Sequence, residues 1–414
     1  MFENIIGQPQ VVEQLLHDTR QAELPSAILL HGPQYSGKLS IALELARVLT
    51  CEKGSAEWNC TCRTCAAQRQ LSHPETLLLG GRYFLQDILA CGESLRRNRR
   101  PAAQYLYVRS LRKLLRRFDS ILWEGDEARL GKASDSLTLL AETAEELTPV
   151  RDESTTSGKA SSVRALPSET RLEKLLGKAL SAAEKVCAQL VTDNVPVGMI
   201  RRATFWAHMT TQSARKVIII ENADGMQAGS RNALLKVLEE PPAGVYFVLT
   251  TTRRGAIIPT ILSRTRSYVT RERGLDDTQQ VLERIFRLPS EGCATMRDFF
   301  LRMEFAGTAD IRLQAHAFLE AVIGAAPDTS VVAAVQAALK AASTRSAFRY
   351  FADELLRRSQ AELRTLEPGT RSGGIRRLER WGQILEEHVA RVEQLNMSGE
   401  SAVETLYYEM RRPG

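Results

Sequence analysis

Three short stretches of this chain carry side chains able to do chemistry. Gly32 to Lys38, GPQYSGK, fits the first seven positions of the pattern GxxxxGK[ST]. In that pattern the backbone N–H groups of a glycine loop surround phosphate oxygens, and the lysine adds a positive point charge. The eighth position should offer a hydroxyl to magnesium, yet here it is Leu39. Ser40 follows one residue later and on an α-helix would face about 100° away, so magnesium lacks its expected protein ligand. Gly32, Gly37 and Lys38 then either hold the phosphates of ATP or ADP or form a structural turn with nothing bound.

The second stretch, KVIIIEN, is an apolar run ending in Glu221 and Asn222. A phosphate-transferring site wants a carboxylate for its metal there, followed by a base to orient water. An amide cannot take a proton as a carboxylate does, so at Asn222 the base is missing. Glu221 and Asp224 are either remnants of such a site or caps of the loop that follows.

The third stretch is Cys51, Cys60, Cys62 and Cys65, four thiols in one short segment. Four thiolates match tetrahedral zinc in a closed structural site. Four reduced thiols in a loop are the alternative, kept open by the single-residue gap between Cys60 and Cys62. His73, next to Pro74, reads as a turn or packing residue, and Cys91, Cys187 and Cys293 as free thiols. Arg264, in ILSRTR, stands at the end of an α/β segment, where its planar fork can be offered to a phosphate held by a neighbouring subunit; an ordinary surface arginine is the plain alternative. Arg96 to Arg117 form a basic run with Tyr105, Tyr107 and Phe118 interleaved, either a solvated helix face or a grip on a DNA backbone.

These residues need elements to position them. The helical pattern VVEQLLHDTRQAEL, the apolar run AILLHG and the helical pattern LSIALELARVLT bracket the glycine loop as strand, loop, helix. KVIIIEN and VYFVLTT are further apolar runs, separated by a helix from about Ser230 to Leu238 that Pro241 and Pro242 end. Continuous apolar strands alternating with helices predict a parallel sheet covered on both faces. Residues 80–193 interrupt it as a helical insertion with a Ser/Thr-rich linker, RDESTTSGKASS. Beyond about Gly274 one amphipathic helix follows another, which predicts an all-α part.

A chain of 414 residues, 43% hydrophobic and 25% charged, fits two to four globular domains. The net charge of +6 decides little about partners. No apolar run is long enough to span a bilayer and the start lacks the marks of a signal peptide, so the expected location is cytoplasmic, away from any membrane.

Together these motifs resemble the clamp-loader family of AAA+ proteins. FENIIGQ, through Phe2, Ile6, Gly7 and Gln8, resembles the family's N-terminal box near the adenine site. The cysteines resemble its zinc module, with one residue lost between Cys60 and Cys62, and His73 to Glu75 is similar to the HPD that follows. ENADGMQAGSRNALLKVLEEPP matches a family stretch at Asn232 to Leu235, Lys236, Leu238, Glu239, Glu240 and Pro241. TILSRT resembles its SRC segment with Thr265 for cysteine, and Thr252 falls at its sensor position.

The resemblance implies an α/β P-loop AAA+ core over 1–79 and 194–272, a helical lid over 273–325 and a helical collar over 326–414. Motor subunits of the family keep GK[ST] and an Asp-Glu pair, whereas delta-prime subunits have a decayed nucleotide site and keep the arginine finger. Leu39, Glu221 and Asn222 put this chain with the second group. The resemblance then implies a bacterial DNA polymerase III hetero-pentamer with gamma/tau-type motor subunits and a delta subunit. That assembly opens a sliding clamp at primed DNA, and Arg264 completes a neighbour's ATP site. The competing readings are an active gamma/tau-type ATPase and an independent DNA-binding protein using the basic insertion.

Overall fold

The computed structural model describes residues 1–81, 84–149, 166–191, 194–209, 215–290, 293–305, 309–324, 326–342, 345–365, 371–394 and 397–412. The Ser/Thr-rich segment 151–162 lies outside them. Contacts divide the chain into two compact units, Met1–Phe300 and Leu301–Gly414, a boundary that falls within the segment 273–325.

The first unit is built on five parallel strands in the order β2-β3-β4-β1-β5. They are β1 (Ala27–His31), β2 (Thr76–Leu79), β3 (Lys216–Ile220), β4 (Val245–Thr251) and β5 (Arg266–Val269). β2 and β3 are buried throughout and β1 and β4 nearly so, as their unbroken apolar sequence demands of a sheet covered on both faces. Lys216, the one charged residue starting such a strand, is 2% exposed. Its ammonium donates to the Trp206 and Met209 carbonyls at 2.7 Å each and lies 4.4 Å from the Trp206 ring, which supplies the partners a buried charge requires. The edge strand β5 is short and carries Arg266, features that discourage pairing with another sheet.

One face of the sheet packs on α1 (Pro9–Arg20) and α2 (Lys38–Thr50) through Leu15, Ile41, Leu45 and Leu49. Pro9 opens α1 at a position where its missing N–H costs nothing. α2 presents Leu39, Ile41, Ala42, Leu45 and Ala46 to the core and is buried along most of its length.

The opposite face belongs to the insertion together with helices Val197–His208 and Ala228–Glu239. α3 (Arg63–Arg69) begins after Cys62 and contains Cys65, and α4 (Phe84–Asn98) and α5 (Pro101–Leu115) pack on each other and on helices Ser134–Glu146 and Glu169–Leu190. Their apolar faces, including Leu95, Leu111, Leu140 and Leu176, join Leu29, Leu77 and Ile218 of the sheet in one core. The insertion is therefore part of the sheet's cover.

Among the described residues the second unit is built of helices, over Ala309–Ile323, Ser330–Ala342, Arg345–Thr365, Arg371–Gln394 and Gly399–Arg411. Phe318 lies edge-on to Phe351 and Tyr407, with centroids 5.3 and 5.5 Å apart. Trp381 Nε1 donates to the Met410 carbonyl at 2.9 Å, so its one polar atom is satisfied inside the core. Among the described residues no helix is long and apolar enough to cross a membrane.

Gly32, directly after β1, shows how tightly the sheet closes. Its φ is +151°, and a Cβ there would lie 2.1 Å from the Thr270 carbonyl oxygen. Gly32→Ala is expected to cost more than about 2 kcal/mol of unfolding free energy by forcing apart β1 and the chain after β5. Denaturant titration checks this, and an unchanged midpoint would contradict the close approach.

Candidate nucleotide loop and metal centre

The glycine loop sits where the sequence places it, between β1 and α2. Gly37 is the N-cap of α2 with φ +93°, and Lys38 is turned inward at 8% exposure. Its ammonium donates to the Gly32 carbonyl at 2.8 Å, to the Pro33 carbonyl and to Ser36 Oγ at 3.3 Å. Arg273 closes the loop from outside, donating to the Ile6 carbonyl at 3.0 Å and the Tyr35 carbonyl at 2.6 Å. A Cβ on Gly37 would meet Arg273 Nη2 at 2.5 Å. The N-terminal box is anchored beside it, because the Gln8 amide both donates to the Arg271 carbonyl and accepts from its N–H, at 2.6 and 3.0 Å. Leu39 is buried in the core and Ser40 is exposed, so neither presents a hydroxyl to the loop.

At the end of β3, Glu221 Oε2 accepts a hydrogen bond from Arg117 Nη2, and Arg117 Nη1 donates to the Leu79 carbonyl. These side chains are 5% and 9% exposed, so this is a buried ion pair between the insertion and the strand end. The guanidinium also lies 5.5 Å from the Phe84 ring. Asn222, at φ +51°, donates from Nδ2 to the Gly81 carbonyl at 2.8 Å. Asp224 accepts from Thr251 Oγ1 at 2.7 Å and from Arg253 Nε at 2.9 Å, which makes it an anchor of the following loop. Thr252 is exposed, one residue beyond the Thr251 hydroxyl that reaches Asp224.

Arg264 lies just before β5. Arg266 pairs with Ile28 near the start of β1, while Val269 pairs with His31 next to the glycine loop. At 3.3 Å per residue the strand separates Arg264 from the level of that loop by roughly 15 Å. It therefore stands at the opposite end of the sheet from its own phosphate loop. Its side chain, 31% exposed, donates to the Thr260 carbonyl at 2.8 Å and to Glu239 Oε1 at 2.5 Å.

The four cysteines converge. Their sulfurs all lie within 4.8 Å of one another, with Cys51 Sγ 3.8 Å from Cys60 and 3.9 Å from Cys62. A tetrahedron with metal–sulfur bonds of about 2.3 Å has edges of about 3.8 Å, whereas a disulfide would need about 2.05 Å. The donor set therefore fits a four-thiolate metal site. Cys62 also caps α3, its sulfur accepting from the Cys65 N–H at 3.4 Å. Burial alone would raise the Cys62 thiol, but hydrogen bonds with the Thr64 hydroxyl and the Cys65 amide outweigh it and bring it down to about 6. Cys65 is pushed up, first by burial and then by the neighbouring thiols. His73 lies outside this centre, with Nδ1 accepting from the Glu75 N–H at 3.2 Å as a turn residue does.

The family model described as "DNA polymerase III, delta subunit" matches residues 7–121 and 154–272, together more than half of the chain. This protein belongs to that family. It is a clamp-loader-type AAA+ protein of the DNA polymerase III system. Among curated proteins, the DNA polymerase III subunit gamma/tau of Mycobacterium bovis and that of Mycobacterium tuberculosis are each 39% identical over 69 residues, 17% of this chain. The match spans only 12% of the length of either relative. An uncharacterized protein of Mycoplasma pneumoniae is 30% identical over 86 residues, 21% of this chain and 31% of that one. The crystal structure of a DNA polymerase III gamma subunit-related protein from Thermotoga maritima is 17% identical, covering 53% of this chain and 80% of the other, with a TM-score of 0.29.

The family match runs through α4 and α5; between its two segments it leaves 122–153 unmatched, and at the ends 1–6 and 273–414. The basic run within it is largely spent inside this family member. Arg109 Nη1 donates to the Gln68 carbonyl at 3.3 Å and also to that of Arg69, and Arg112 to the Gln70 carbonyl at 3.1 Å. Arg116 reaches the His73 carbonyl at 3.1 Å and that of Thr76. α5 and the turn after it thus cap the end of α3 and the start of β2.

Sequence reading missed Arg117, Arg273 and Thr251 as members of the site. The only signal for Arg117 was its place in the basic run, since its partner Glu221 is 104 residues away. Arg117→Met is expected to lower unfolding free energy by about 3 kcal/mol or more, by stranding a buried carboxylate. Adding Glu221→Gln is expected to recover part of that loss. Denaturant unfolding of the wild type, both single variants and the double variant measures the coupling, and strictly additive losses would show that no such pair exists.

Proposed function

We propose that this chain is a non-motor, delta-prime-type subunit of a bacterial clamp loader, supporting ATP hydrolysis by its neighbours in the cytoplasm. The observation that carries this reading is the state of the β3 end. Glu221 is neutralised by Arg117 and the Asn222 amide is turned to the Gly81 carbonyl, so a nucleotide in the glycine loop would meet neither a metal-binding carboxylate nor a base. Gly32, Gly37, Lys38 and Ser40 are then vestiges of a nucleotide site, open at most to ATP or ADP without turnover.

Arg264 acts on another subunit. Its position at the far end of the sheet removes it from its own loop, and its partial exposure beside Glu239 leaves it releasable to a phosphate across a subunit boundary. The partners in this reading are gamma/tau-type motor subunits and a delta subunit in a hetero-pentamer, acting on a sliding clamp at primed DNA. Residues 273–325 serve as the lid and 326–414 as the collar that holds the ring. Cys51, Cys60, Cys62 and Cys65 hold structural zinc, which cross-links the loop between α2 and α3.

The similarity to gamma/tau subunits favours a second reading, an active motor subunit. The two separate in one assay. The purified chain is expected to show no ATPase that Lys38→Ala abolishes, and such activity would establish the motor reading instead. In a loader reconstituted with motor and delta subunits, Arg264→Ala is expected to slow clamp-stimulated hydrolysis by roughly 10³-fold. Unchanged turnover there would end the finger assignment.

Zinc is checked by metal analysis of protein purified without added metal, with about one zinc per chain expected from a single four-ligand centre. Protein with no metal and four freely titrating thiols would defeat that part of the reading.

A further inference from the structure

Arg47 is the most completely engaged side chain near the cysteines. It is 2% exposed in the last turn of α2, and all five of its N–H donors have partners. Nε and Nη2 hold the two oxygens of Glu44 at 2.9 and 2.6 Å in a bidentate pair. Nη2 also donates to the Ala56 carbonyl at 2.7 Å, and Nη1 to the Glu57 carbonyl at 3.0 Å. The last donor points from Nη1 to Cys65 Sγ at 3.3 Å. The loop between the first two cysteines is thus fastened to α2 by the same planar fork that touches a ligand sulfur. Glu44 extends the chain of contacts, its Oε1 accepting from the Phe2 N–H at 3.1 Å. Phe2 is a buried non-glycine residue at φ +64° and needs such a hold.

We infer that Arg47 is the positioning residue of the four-thiolate centre, setting the Cys51–Cys60 loop in ligating geometry, offsetting the centre's charge and tying it through Glu44 to the N-terminal box. The inference rests on the zinc reading above. A divalent ion bound by four thiolates carries a net charge of −2, and in a partly buried site a hydrogen-bonding cation favours that state over the free thiols. Groups behind a metal's ligands tune affinity by roughly 10–100-fold when removed. Lysine keeps the charge but cannot hold Glu44 bidentately while also reaching two carbonyls and a sulfur.

The test is zinc competition with a chromophoric chelator, on the wild type, Arg47→Lys, Arg47→Met and Leu49→Ala. Leu49 is buried on the same helix and touches none of the thiols through a hydrogen bond, so Leu49→Ala controls for loss of stability alone. Arg47→Met is expected to weaken zinc binding by roughly 10–100-fold, Arg47→Lys by less, and Leu49→Ala hardly at all. Cobalt substitution of the two Arg47 variants should retain the absorption of a tetrahedral four-sulfur site, showing that the ligands are kept and only their setting is lost. In the wild type, metal removal should speed hydrogen exchange at the Phe2 amide.

Equal zinc affinity in the wild type and both Arg47 variants would overturn the inference while leaving the zinc reading intact, as would an equal loss in Leu49→Ala. A wild type that binds no metal would take down the zinc reading and this inference with it. A Phe2 amide indifferent to metal would remove the link to the N-terminal box.

Discussion

A carboxylate at the carboxyl end of a buried parallel strand has to be neutralised by something. In a working phosphate-transfer site that is a metal ion bound together with nucleotide; here it is the guanidinium of Arg117, delivered by the insertion. Both charges lie out of water, where losing either would strand the other at a cost of several kcal/mol. The pair therefore ties the turn after α5 to the sheet, and the insertion cannot lift away without exposing it. The same contact that fastens the insertion to the sheet thus occupies an oxygen of Glu221 at the β3 end.

The direction of the sheet supplies the second constraint. All strands run parallel, so the glycine loop, the β3 end and the Arg117 contact gather at one end. Arg264, entering β5 from the other end, is displaced by the length of a strand. No side-chain rotation brings it back to its own loop. There it pairs with Glu239, a contact of modest worth because both groups are partly hydrated.

Much of this was legible in the sequence because the central strands are fully buried. AILLH, KVIII and VYFVLTT announce themselves by continuous β-branched and apolar residues, and the helix ending before Pro241 by its breakers. β2 and β5 did not stand out, because TLLL is only four residues and RSYV is an edge strand with half its side chains toward solvent. The cysteine cluster was visible by composition. That its unusual spacing closes was not, since closure depends on Cys62 serving as the N-cap of α3 and on Arg47 gathering the Ala56 and Glu57 carbonyls, contacts that no local pattern encodes.

The basic run shows the same limit from the other side. Composition alone set a DNA grip against a solvated face for the residues from Arg96 to Arg117. The structure gives many of these cations a third role, because the carbonyls ending α3 and flanking β2 need donors that the sheet and the helices cannot supply. Arginine suits that role, since its five N–H groups reach several carbonyls at once and its charge is favourable at the negative end of a helix. Exposed members such as Arg97 pair within their own helix, at 2.6 Å from Glu93. Much of the positive charge of this run is thus an internal fastening between the insertion, the helix after the cysteines and the sheet.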